Sequence, residues 1–178
     1  MIRTKVILAI SCLSILAAES RTELPEPTLS PALSSLIRGQ KFDVVLPQVM
    51  RDNDVDMWIQ VIRGDDPLQF ELGYHDGVYI FTDSGGDRVE RAVFGAAGDR
   101  EIYDRFGAKT EIARYVAERN PDRIALNFAD EDSRFNSISA ADHAAIVEAL
   151  GPRYAGRTVS ARKLSADFLA GRSMAEIA

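Results

Sequence analysis

The chain has 178 residues, 46% of them hydrophobic and 27% charged, and a formal net charge of −6. That length suits one domain with a packed core. The acidic balance, with Arg residues interleaved among acids, argues against a nucleic-acid partner, which needs a basic stripe to displace counterions.

Arg3 and Lys5 precede an apolar run over residues 6–18, "VILAISCLSILAA". A charged start followed by a run shorter than the ~20 residues of a membrane-spanning helix is the pattern of a secretory signal peptide, and Ala17, Ala18 and Ser20 supply small residues for cleavage. A buried N-terminal helix is the competing reading. Residues 1–20 are expected to be a signal peptide, giving a periplasmic or secreted protein with no membrane contact after cleavage. Cys12, the single cysteine, lies inside the run without the small-residue box of lipoprotein processing, so the mature chain would carry no disulfide framework.

Residues 19–31, "ESRTELPEPTLSP", read as extended chain, with 21–31 as a linker and order expected from Ala32. Leu33, Leu36 and Ile37 open a helical stripe that Phe42, Val45, Leu46, Val49 and Met50 continue. Pro47 inside it predicts a kink or break near Asp43. Residues 55–62, "VDMWIQVI", are β-branched and aromatic enough for a buried strand. Residues 64–76 are loop-like, and residues 78–82 and 88–94 flank a Gly-rich turn in a hairpin pattern. Beyond it, helix and strand alternate. A helix marked by Ile112, Tyr115 and Val116 stops at Asn120-Pro121, and residues 123–128 form a strand. Ser139 with Asp142 caps a helix that ends at Gly151-Pro152, residues 158–160 are a short strand, and residues 163–170 are helical. The pattern predicts an α/β domain over residues 32–170 with a mixed β-sheet flanked by helices.

Few residues offer chemistry. His143 stands next to Asp142 on a helix, where neighbouring side chains point apart. His75 lies in the 64–76 loop with Asp65, Asp66 and Tyr74, and loops carry function disproportionately, although a solvated loop histidine is the commoner case. Residues 52–56, "DNDVD", space carboxylates as a calcium loop does, but Met57 and Arg63 replace the Gly and Glu that such a loop needs. Gly85-Gly86 and residues 95–98 read as turn glycines. No nucleophile elbow and no convergent His, Asp and Glu set is visible, so neither a catalytic nor a metal-ligating residue is assigned.

Five segments in order carry a resemblance: residues 41–59, "KFDVVLPQVMRDNDVDMWI"; residues 65–68, "DDPL"; residues 77–95, "GVYIFTDSGGDRVERAVFG"; residues 116–127, "VAERNPDRIALN"; and residues 150–168, "LGPRYAGRTVSARKLSADF". Together they resemble the N-terminal domain of the creatinase and Xaa-Pro aminopeptidase family of pita-bread metallopeptidases. The resemblance implies a non-catalytic mixed α/β domain that supports a homodimer and walls the active-site cleft. It also implies a C-terminal catalytic domain, its own pita-bread domain in the whole enzyme, where two Asp, one His and two Glu hold two divalent metals that activate a water. No cofactor is expected in this chain itself. By the same similarity Asp65, Asp66, Tyr74 and His75 are the candidate cleft-facing residues.

Residues 171–178, "GRSMAEIA", pair Ser173 with Glu176 as a capping box. They are expected to open the first helix of that catalytic domain. Two other readings stay open: a free-standing periplasmic ligand-binding or interaction module, and a small hydrolase using Asp and His from the 64–76 loop.

Overall fold

A computed structural model describes residues 30–64, 66–73, 75–128 and 138–173. Ser30 caps the first helix, α1 (Pro31–Asp52), its hydroxyl accepting the Leu33 N–H at 3.2 Å. Pro31, assigned to the linker from sequence, fills the first turn, where a missing donor is harmless.

The helix runs on through Asp43 and Pro47, so no break is found there. Phe42, Leu46, Val49 and Met50 bury on the sheet on both sides of the proline. At about 1.5–3 kcal/mol each they outweigh the roughly 3 kcal/mol an interior proline costs. Leu33 and Leu36, read as the start of the buried stripe, are 41% and 56% exposed; the buried face begins with Arg38, Lys41 and Phe42.

The other elements are β1 (Met57–Ile62), α2 (Gln69–Leu72), β2 (Gly77–Thr82), β3 (Glu90–Phe94), β4 (Arg105–Gly107), α3 (Ile112–Arg119), β5 (Ile124–Leu126), α4 (Ala140–Ala155), β6 (Thr158–Ser160) and α5 (Arg162–Ala170). The strands form one sheet in the order β4-β3-β2-β1-β5-β6. The β1–β2 and β2–β3 pairs are antiparallel; β3–β4, β1–β5 and β5–β6 are parallel. This is the mixed α/β sheet that the sequence predicts. Strand β4 and helix α2 are additions, too short at three and four residues to leave a period in the sequence.

Alternation along the strands makes two cores. Trp58, Ile62, Tyr79, Phe81 and Val93 face α1, α2 and α5, whereas Met57, Ile59, Val78, Ile80 and Phe94 face α3 and α4. All six residues of β1 are buried, which accounts for its continuous apolar reading. The strand opens at Met57 rather than at residue 55, because the preceding residues form the turn out of α1. Asp54 takes φ 53° there, and the Asp56 carboxylate accepts the Asp122 and Arg123 N–H groups at 2.8 and 2.9 Å. The "DNDVD" stretch is thus the polar end of α1 and the turn into β1. In α4, Gly151 leaves helical geometry at φ 67°, ψ 171°, and one more turn follows Pro152.

Helix α5 lies against α1. Asn53 Nδ2 donates to Asp167 at 2.9 Å, and a Cβ on Gly171 would sit 2.3 Å from Val45 Cγ1. Ser173 is buried beyond this contact; Glu176, its partner in the capping-box reading, lies outside the described residues.

Candidate functional site

The 63–76 segment, the connection from β1 to β2, contains the 64–76 loop on which the sequence placed its candidate residues. Leu68 and Leu72 are fully buried, so the segment folds down on the α1 side of the sheet. Polar side chains from the core then hold it from beneath. Helix α2 is a single turn whose last carbonyls have no partner within the helix. Arg38 Nε donates to the Glu71 carbonyl at 3.0 Å and its Nη2 to the Phe70 carbonyl at 3.2 Å. The Tyr103 hydroxyl donates to the Leu72 carbonyl. Lys41, fully buried, places Nζ 3.0 Å from Glu71 Oε2 and 4.9 Å from the centre of the Phe168 ring. Cations at the C-terminal end of a helix also suit its dipole.

The ends of the segment are tied as well. Gly64 N–H donates to Asp76 at 3.0 Å, and the Tyr79 hydroxyl donates to the His75 carbonyl at 2.8 Å. Burial pushes the Tyr103 phenol well above its ordinary pKa, and that of Tyr79 up, so both remain protonated donors.

Of the four candidate residues, Asp65 and Tyr74 lie outside the described residues. Asp66 is half-buried and its carboxylate is engaged locally, accepting Leu68 N–H at 2.8 Å and Gln60 Nε2 at 3.3 Å. Burial raises its pKa against those two hydrogen bonds. Its place in the segment is that of an Asx-type turn former. His75 is exposed at the surface. The structure therefore brings Asp66 and His75 onto one mounted segment without bringing their side chains into a shared contact.

The residues that sequence reading missed are the mounts, Arg38, Lys41, Tyr79 and Tyr103. A signal existed for two of them: cations at positions 38 and 41 interrupt an apolar helical face, where charged residues bury only when paired. The segment also displays Phe70, which is 66% exposed. Among the described residues no three of His, Cys, Asp and Glu converge as metal ligands, and no helix is long and apolar enough to cross a membrane. What the segment offers chemically is a fixed, partly apolar surface. Comparison with protein-family models, curated proteins and solved structures returned no match.

Proposed function

We infer that this domain is the non-catalytic N-terminal domain of an exported Xaa-Pro aminopeptidase- or creatinase-like metallopeptidase. In this reading it supports dimerisation, and its 63–76 segment walls the cleft of a catalytic domain that carries the two divalent metals. One observation supports the reading above others: the five resembling segments fall on successive parts of one sheet. They run from α1 into β1, through the turn before α2, across the β2–β3 hairpin, from α3 into β5, and from α4 through β6 into α5. A wall needs shape held against solvent rather than reactive groups, and the buried mounts of α2 supply such rigidity.

The test is the genomic reading frame beyond codon 178. In-frame continuation into a domain with two Asp, one His and two Glu in metal-ligand order is the expected result. A stop codon in an intact locus overturns the reading.

A further inference from the structure

Strand β6 ends the sheet, and no further strand lies beyond it among the described residues. Its parallel register with β5 pairs Thr158 with Ile124, Val159 with Ala125 and Ser160 with Leu126. The Arg157 carbonyl accepts the Ile124 N–H at 3.0 Å, and the Ala161 N–H donates to the Leu126 carbonyl at 2.9 Å. Bonding residues alternate along a strand, so residues 157, 159 and 161 turn backbone groups inward to β5. Thr158 and Ser160 turn their N–H and C=O groups outward, and both residues are half-exposed.

What borders this open edge is basic, although the chain as a whole carries a net charge of −6. A groove of about 390 Å³ beside it is lined by Ser160, Arg162, Lys163 and Ala166, with cations and no acid. A second groove, of about 270 Å³, shares Ser160 and Lys163 and adds Arg123, with Asp52 the single carboxylate of its lining. Lys163 pairs with Asp167 at 2.6 Å and Arg123 with Asp54 at 3.4 Å. Lys163 is 73% exposed and Asp54 91%, and pairs so open to solvent hold little energy. Both cations therefore remain available to an acidic ligand.

Charge selects among the strands that could add here. A second copy would pair β6 with β6 antiparallel about a two-fold axis, bringing the Arg157 end of each copy against the Arg162 and Lys163 end of the other. Like charges would then face one another, which disfavours the pairing. An acidic strand meets the opposite condition. Side chains of an added strand alternate between faces, and those level with Val159 share its face, the one on which α5 packs. Carboxylates at alternate positions stand on the side of Arg162 and Lys163 while the peptide backbone completes the ladder.

We propose that the β6 edge binds an extended acidic peptide of about six residues as an added strand, its backbone pairing with Thr158 and Ser160 and its alternate carboxylates meeting Arg162 and Lys163. The inference stands independently of the metallopeptidase reading. The test is an NMR titration of the ¹⁵N-labelled full chain with acetyl-Thr-Glu-Val-Glu-Val-Glu-amide, followed by amide hydrogen exchange. Saturable shifts are expected at Thr158 and Ser160, whose amides gain protection of about tenfold or more, while Val159 and Ala161, already bonded to β5, change little. Arg162→Glu combined with Lys163→Glu, both at exposed positions, weakens binding about fivefold or more. Ser160→Pro removes an outward N–H, spares the β5 ladder and also weakens binding. Absence of saturable shifts, no protection at Thr158 and Ser160, unchanged affinity in the charge-reversed variant, or equal affinity for the peptide with Lys in place of Glu each overturns the proposal. Protection at Thr158 and Ser160 that grows with protein concentration alone overturns it too, assigning the edge to a second copy.

Discussion

Asn127 shows how one side chain can extend a sheet. The β1–β5 ladder pairs Met57, Trp58 and Ile59 with Ile124, Ala125 and Leu126 and then stops. The buried Asn127 continues it with its carboxamide, Oδ1 accepting Val61 N–H and Nδ2 donating to the Val61 carbonyl, both at 2.9 Å. A leucine would fill the space but leave both Val61 groups unpaired in a dry core. Asn127→Leu is therefore expected to lower the unfolding free energy by about 2–4 kcal/mol, read by urea denaturation; a loss below about 1 kcal/mol would show that the backbone finds other partners. Arg38 and Lys41 work on the same logic, since each is buried with its charged end spent on the 63–76 segment.

Between elements, the exposed ends of strands and helices are tied by carboxylates. Arg63, just past β1, reaches Asp142 in the first turn of α4 at 2.7 Å. Hydrogen bonding from Arg63 is the main cause that holds the Asp142 carboxyl below its ordinary pKa, partly opposed by desolvation and aided by the Ser139 hydroxyl. A depressed folded-state pKa contributes stability above the unfolded value of about 3.9 and loses it as pH falls through the folded value. The stability gap between wild type and Arg63→Met should thus be present near pH 6 and narrow as the pH is lowered to about 2, while the Asp142 carboxyl titrates nearer its ordinary range in the variant. Equal gaps at both pH values, with an unmoved Asp142 titration by carboxyl-detected NMR, would assign the link no electrostatic role. Because Arg63 leads into the 63–76 segment, this pair also fixes where that segment leaves the sheet.

At the scale of the molecule, a central sheet with α1, α2 and α5 on one face and α3 and α4 on the other leaves the α1 surface with several apolar side chains outward: Leu33, Leu36 and Val44, the last 67% exposed. Scattered exposed apolar residues are ordinary, so they do not by themselves define an interface. The proposed dimerisation is checked directly by light scattering coupled to gel filtration. A mass near twice the 19.6 kDa of the chain, less any cleaved leader, is expected, and a strict monomer at tens of micromolar would remove dimer support from the proposed role.

The sequence by itself determined the class of fold and most of its elements. Continuous burial of β1, the Gly-rich β2–β3 turn, the Ser139 cap and the break in α4 at Gly151 all act over a few residues, where chain chemistry is sufficient. It also read residues 64–76 as a connection between strands, where Asp66 and His75 of the four named residues fall within the described structure. Tertiary structure alone decided that α1 passes Pro47 unbroken, that Leu33 and Leu36 face outward, and that β4 joins the sheet edge. It alone decided that Arg38 and Tyr103, distant in sequence, meet at the end of α2. These outcomes depend on which surfaces the folded sheet brings together, and local propensity carries no information about a partner tens of residues away.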